Sequence, residues 1–200
     1  MIKRILIIGF GMMGKSHLYS FINSKHKYQI SIYDKKNYSK IEISNYFNKV
    51  NFLKKFPKKK KYDCVIIATS SDIRFLLLKK ILKFNKVNKV ILEKFIFPKI
   101  VQYKKFAKFS ENYKDLILKV NTWGDYLYRN LKLPKNIKNN NVKIFVPEGT
   151  LLSNTIHYLD FCFRKIQKIE INLNLKRIIN SKRNSYHEAL GKISINTSQK

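Results

Sequence analysis

Apolar and polar positions alternate along this chain in two rhythms, and the first of them fills residues 1–121. Continuously apolar runs at 5–8, 62–69 and 89–92 are of the kind that a parallel strand buried on both faces requires. Around them lie strand-like segments at 29–33, 50–53 and 116–121 and helix-compatible stretches at 15–22, 40–47, 73–84 and 100–110. Within 73–84, Ile73, Leu76, Leu77, Ile81 and Phe84 make one apolar face, and Ser70, Ser71 and Asp72 are placed to cap the helix. Strand and helix in turn specify an α/β fold, a doubly wound parallel sheet with helices on both faces. Such sheets bind ligands beyond the carboxyl ends of their strands, where Thr69, Ser70, Glu93, Lys94 and Asn121 fall.

Past residue 121 the rhythm changes. A short helix at 126–132 and a Pro- and Asn-rich linker at 133–141 are followed by a strand at 142–146 and a helix at 152–165, then by strand-like segments at 169–179 and 192–197. This predicts a second, smaller α+β domain over 122–200 with a mostly antiparallel sheet.

The first strand runs straight into Gly9-Phe10-Gly11-Met12-Met13-Gly14. Gly9 allows a tight turn, Gly11 lets the backbone approach a pyrophosphate, and Gly14 lets the next helix pack closely on the strand. The N-terminus of that helix then directs its N–H groups at the phosphates. Asp34 stands at the end of the second strand, where a carboxylate accepts hydrogen bonds from ribose hydroxyls and repels a 2′-phosphate. Residues 1–121 therefore read as a Rossmann domain for NAD. Lys35 and Lys36 follow at once and could pair with a phosphate, which keeps NADP open.

Composition narrows the rest. Hydrophobic residues make up 44% of the 200, which favours a folded globule over a disordered chain. No run approaches the roughly 18 apolar residues of a membrane span, so a soluble, cytoplasmic protein without a membrane partner is expected. Cys64 and Cys162 lack metal-ligand spacing and read as buried thiols, so no metal is expected. A net charge of +30 raises the question of nucleic acid. The excess is mostly lysine, it is spread from Lys3 to Lys200, and its one dense run at 58–61 lies between predicted strands. With no helix-turn-helix, zinc-finger or RNP signature, a general attraction for anions is expected rather than specific nucleic-acid binding.

Four stretches, taken in order, resemble the glucose-fructose oxidoreductase, inositol dehydrogenase and MocA family. They are Ile5-Leu6-Ile7-Ile8-Gly9-Phe10-Gly11-Met12-Met13-Gly14-Lys15-Ser16-His17, then Ala68-Thr69-Ser70-Ser71-Asp72, then Glu93-Lys94 after Val90-Ile91-Leu92, and finally His157-Tyr158-Leu159-Asp160. The resemblance covers about residues 1–165. It implies a two-domain NAD(P)-dependent oxidoreductase that moves a hydride between nicotinamide and a hydroxyl or carbonyl of a sugar, nucleotide sugar or cyclitol. It places Gly9, Phe10, Gly11, Met12, Met13, Gly14, Asp34, Thr69, Ser70, Glu93 and Lys94 around the cofactor. The family's Glu-Lys-Pro motif falls on Glu93-Lys94-Phe95, which makes Lys94 the lysine for substrate binding and proton handling. His157 takes the place of the family histidine that exchanges a proton with the reacting hydroxyl. His17 could contact cofactor or substrate, or simply pack.

Two departures bear on activity. Ser153 stands where the family carries an aspartate, and Phe95 where it carries proline. Only about 80 residues follow Asn121, against nearly twice as many or more in the family, so the second domain is pared down or truncated. The alternative to an enzyme is a catalytically impaired dinucleotide-binding sensor or partner subunit. The expected partner is a small sugar-type substrate, and a small open sheet with an exposed face would favour homo-oligomers.

Overall fold

The computed structural model describes residues 1–36, 46, 49–130, 151–163, 168–180 and 187–198. Contacts divide the chain into two units, Met1–Asn121 and Thr122–Lys200.

In the first unit six parallel strands form one sheet in the order β3-β2-β1-β5-β7-β8. They are β1 (Lys3–Ile8), β2 (Tyr28–Tyr33), β3 (Val50–Leu53), β5 (Cys64–Ile67), β7 (Lys89–Glu93) and β8 (Ile117–Asn121). The intervening pieces β4 (Lys61–Tyr62) and β6 (Lys86–Val87) pair with each other in a separate ribbon. Helices α1 (Met12–Ile22), α2 (Ser71–Phe84) and α3 (Ile100–Ser110) supply the crossovers. The chain builds outward from β1 through β2 to β3, then returns to the other side of β1 with β5. That reversal puts the topological switch point at the carboxyl end of β1, where the glycine turn begins.

The apolar runs are buried on both sheet faces as their composition requires. One cluster joins Leu6, Ile8, Val65, Ile67, Val90 and Leu92 to Leu77, Leu78, Ile81 and Leu82 of α2. On the other face Ile5, Ile7, Ile30, Ile32 and Ile66 pack with Phe10 and with Leu18 of α1. Cys64 is a buried free thiol, as expected.

Two expectations need correction. The run at 62–69 is not one strand: Tyr62 pairs with Val87 in the small ribbon, and β5 starts only at Cys64. The buried face of α2 is Arg74, Leu77, Leu78, Ile81 and Leu82, while Leu76, expected inside, is 64% exposed. These five positions follow i, i+3, i+4, i+7 and i+8, the spacing of one helical stripe. The predicted face left out Arg74, Leu78 and Leu82 and was turned away from the buried one by that much. Ser70 is the N-cap of α2, yet its side chain makes no cap bond.

The second unit contains α4 (Gly124–Asn130) packed on α5 (Leu151–Phe163), and α5 in turn contacts β10 (His187–Ser198). β10 pairs antiparallel with β9 (Lys168–Asn180), and the register shifts between Leu190 and Gly191. The antiparallel α+β character expected of this region is present. The helix predicted at 40–47, apart from Tyr46, lies outside the described residues, as do the linker at 133–141 and the strand at 142–146. So does the side chain of Cys162. Among the described residues, no helix is long and apolar enough to cross a membrane.

Candidate functional site

The glycine turn has the shape its sequence called for. Gly9 has φ +94°, a conformation that L side chains rarely adopt, and its N–H donates to the Tyr33 carbonyl at 2.9 Å. A Cβ on Gly14 would lie 2.0 Å from the Gly9 carbonyl oxygen, so only glycine lets α1 sit this close to the end of β1. A Cβ on Gly11 would meet nothing within 4 Å. Gly11 caps α1 without a side-chain bond, and no acidic residue occupies the helix's first turn. The open space over Gly11 and the exposed first turn of α1 thus fit a pyrophosphate, because the free N–H groups and the helix dipole favour an anion there.

Asp34 closes the turn from the end of β2. Its Oδ2 accepts the Phe10 N–H at 2.6 Å and its Oδ1 accepts the Lys36 N–H at 2.8 Å. A carboxylate accepts several hydrogen bonds, so these two do not by themselves exclude a ribose hydroxyl at the same group. Phe10 contributes its backbone here, while its ring is buried in the core edge-on to Tyr46 and Phe52. Met12 is exposed and Met13 half-buried. Thr69 is half-buried and Ser70 exposed, both between β5 and α2.

A second polar group gathers at the ends of β7 and β8. The Glu93 side chain is 5% exposed and accepts bonds from His17 Nε2 at 2.6 Å and Asn121 Nδ2 at 2.8 Å. Burial pushes the Glu93 carboxyl up, but the hydrogen bonds from His17 and Asn121 and the charges of His17 and Arg74 outweigh it and hold the group below its ordinary value. Glu93 is therefore a buried carboxylate tied to α1 and β8. Because its folded value is depressed, its stabilisation is present above its ordinary 4.5 and is lost as the pH falls through the lower folded value. Urea midpoints should fall as the pH is lowered below about 4.5 in the parent and fall less steeply in Glu93→Gln, and equal slopes would contradict the assignment.

Sequence reasoning overlooked Arg74. It is 2% exposed, and its guanidinium donates to the carbonyls of Glu93, Phe95, Ile96 and Thr69. One side chain on α2 thereby holds the carboxyl end of β5 and the turn that carries Lys94. The Lys94–Phe95 peptide is cis, and Lys94 is half-buried. The signal for Arg74 was its phase, since it precedes Leu77, Leu78 and Ile81 on one stripe.

Of the residues expected in the second domain, His157 is 4% exposed, and its Nδ1 accepts the Trp123 N–H at 3.1 Å. The Trp123 and His157 rings lie 4.5 Å apart at 33°. Asp160 accepts a hydrogen bond from the Thr122 hydroxyl at 2.6 Å. Glu188, also overlooked, is buried and caps the start of α5, accepting the N–H groups of Leu152 and Ser153. It lay outside the strand predicted at 192–197, and nothing in the pattern marked it.

The sequence matches the model of the Gfo/Idh/MocA oxidoreductase family, NAD-binding Rossmann fold, over residues 3–121. No curated protein matches it. Among solved structures, an oxidoreductase from Bacillus cereus shares 17% identity at a TM-score of 0.61, over 86% of this chain and 56% of that one. The myo-inositol 2-dehydrogenase of Lactobacillus plantarum shares 15% at 0.54, over 64% of this chain and 39% of that one. Biliverdin reductase from Synechocystis, solved with biliverdin and NADP+, shares 14% at 0.55, over 86% and 61%. Such low identities establish the fold. The chain spans between 39% and 61% of the length of these structures.

Proposed function

The chain belongs to the Gfo/Idh/MocA oxidoreductase family, and from that footing we propose that it is an NAD(P)-dependent oxidoreductase acting on a hydroxyl or carbonyl group of a sugar, nucleotide sugar or cyclitol. The observation that carries the proposal is the glycine turn: open space over Gly11, with Asp34 bound to the same turn. Nicotinamide, when bound, accepts or supplies the hydride. The protein's part is to hold the dinucleotide and manage the proton.

In this reading α1 receives the pyrophosphate at its N-terminus, and Asp34 takes the adenosine ribose hydroxyls. Thr69 and Ser70 border the same strand ends. Lys94 directs its ammonium at the substrate oxygen, where a positive charge stabilises a developing alkoxide. His157 exchanges the hydroxyl proton, a role that rests on the family resemblance. A cyclitol or sugar substrate is supported by the inositol dehydrogenase among the structural neighbours, although biliverdin reductase shares the fold, so architecture alone does not choose the substrate.

Purified protein is expected to quench or shift NADH fluorescence and to reduce NAD with a member of a polyol, sugar and nucleotide-sugar panel. Lys94→Ala and His157→Ala should bind NADH and turn over slowly. Absence of NADH binding would remove the proposal. Ser153 in place of aspartate favours the second reading, a dinucleotide sensor without turnover, and NADH binding with no reaction across the panel would select it.

Asp34→Asn separates charge from geometry, because asparagine keeps an acceptor for the Phe10 N–H but no longer repels a 2′-phosphate. The ratio of NADPH to NADH affinity should rise about tenfold. An unchanged ratio in paired fluorescence titrations would show that Asp34 does not discriminate between the two.

A further inference from the structure

We propose that the lysines gathered between the loop at 54–61 and the carboxyl end of α2 form a docking face for the phosphate backbone of a nucleic acid, bound without regard to sequence. The proposal goes beyond the dinucleotide reading and does not depend on it.

The lysine run at 58–61 is a built loop. Pro57 is buried, and the buried Asn85 fastens the loop to the end of α2. Its Nδ2 donates to the Pro57 carbonyl at 3.1 Å, and its Oδ1 accepts the Lys60 N–H at 3.1 Å. Lys59 takes a left-handed φ of +55°, and its N–H donates to the Phe84 carbonyl at 2.8 Å. Lys61 pairs with Lys86 where β4 meets β6. The ammoniums of Lys58 and Lys83 both stand over the Phe84 ring, at 5.1 and 5.7 Å, and that of Lys80 stands over Phe56 at 4.5 Å. Exposed lysines from separate segments, Lys58, Lys60, Lys61, Lys80, Lys83 and Lys86, are thereby held together.

A ring face orients an ammonium but does not neutralise it. Segments 54–62 and 73–92 contain no Asp or Glu, and among the described residues none of these lysines makes a salt bridge. Asp63, next along the chain, accepts the Arg4 N–H and the Asn88 amide instead. Like charges gathered without counter-charges oppose folding, so stability does not account for the cluster. A polyanion does, because each phosphate met by a lysine releases a counterion and adds affinity. Ring faces that carry ammoniums are not offered to bases for stacking, which leaves charge as the means of recognition. Beside the face, α2 exposes only Leu76 as a large apolar side chain, too little to seat in a bilayer. A water-soluble polyanion therefore fits better than a lipid surface.

The test uses the full chain and a fluorescently labelled random-sequence duplex of about 20 base pairs, titrated by anisotropy between about 50 and 200 mM salt. Lys58→Gln/Lys60→Gln/Lys86→Gln should bind roughly tenfold more weakly at the low-salt end, with a salt slope shallower by about 2–3. Lys104→Gln/Lys105→Gln/Lys108→Gln removes the same charge from α3 and should lose less than about threefold. NADH titrations of both variants should match the parent. If the loop variant fails to fold, Lys80→Gln/Lys83→Gln, on a regular helix, is compared with Lys104→Gln/Lys105→Gln in the same way. Equal losses in the two sets, or a parent that does not bind the duplex, overturn the proposal and leave the dinucleotide reading intact. Tighter binding to phosphatidylserine vesicles than to the duplex, lost in the loop variant, overturns it in favour of a lipid surface.

Discussion

Gly14→Ala should destabilise the first unit by about 3 kcal/mol or more, whereas Gly11→Ala should leave its stability within about 1 kcal/mol and weaken NADH binding at least tenfold. Gly11 caps α1 and Gly14 lies within its first turn, and what surrounds each decides the outcome. At Gly14 the new methyl carbon would lie 2.0 Å from the Gly9 carbonyl oxygen, a backbone atom that cannot rotate away. Relief requires α1 to move off β1, which separates Leu18 from Ile5, Ile7, Ile30 and Ile32. Overpacking that moves a backbone lies at the upper end of core substitutions. At Gly11 φ is −70° and ψ −166°, an extended conformation that alanine adopts, and the space beyond is open. Its methyl group instead occupies the volume assigned to the pyrophosphate. Urea unfolding together with NADH titration of both variants checks the pair. If Gly11→Ala bound NADH as tightly as the parent, the dinucleotide would have to lie elsewhere.

The contrast also shows which parts of the molecule were legible in the sequence. The turn was, because Gly9 and Gly14 answer demands of the backbone itself, a positive φ at Gly9 and the close approach of Gly14 to the Gly9 carbonyl. The parallel strands were legible for a similar reason, since Ile5, Ile7, Val65, Ile67, Val90 and Leu92 are apolar on both faces and fit no exposed position. What stayed hidden were the polar groups whose place depends on tertiary contacts. Glu93 was read as a cofactor residue from its position at a strand end, but its carboxylate is held by His17 and Asn121, which lie 76 and 28 residues away in sequence. Nothing local predicts that pairing. Glu188 at the start of α5 is of the same kind, 36 residues from Leu152. Arg74 differs, because it stands in phase with Leu77, Leu78 and Ile81 and periodicity did contain it, although arginine is rarely buried.

That oversight carries the other large effect. Arg74→Met is expected to destabilise the first unit by about 3 kcal/mol or more. The aliphatic stem of methionine can fill much of the space against Leu77 and Leu78, so the loss falls on polar groups rather than on packing. The carbonyls of Thr69, Glu93, Phe95 and Ile96 lose a common donor in a buried place, and each buried acceptor left without a partner costs about 1–3 kcal/mol less whatever water enters. Glu93 also loses one of the charges that hold it ionised, so its carboxyl should titrate higher in the variant than in the parent. Arg74→Lys should recover only part of the stability, because one ammonium cannot spread its donors across two strand ends as a planar guanidinium does. The functional consequence follows from the geometry. Arg74 binds carbonyls on both sides of Lys94, so in a properly folded sample its loss should lower turnover more than NADH affinity, which the glycine turn sets. Chemical denaturation gives the first number, and parallel NADH titration and turnover give the second. A destabilisation below about 1 kcal/mol would mean that those carbonyls find other donors and that Arg74 does not hold the turn.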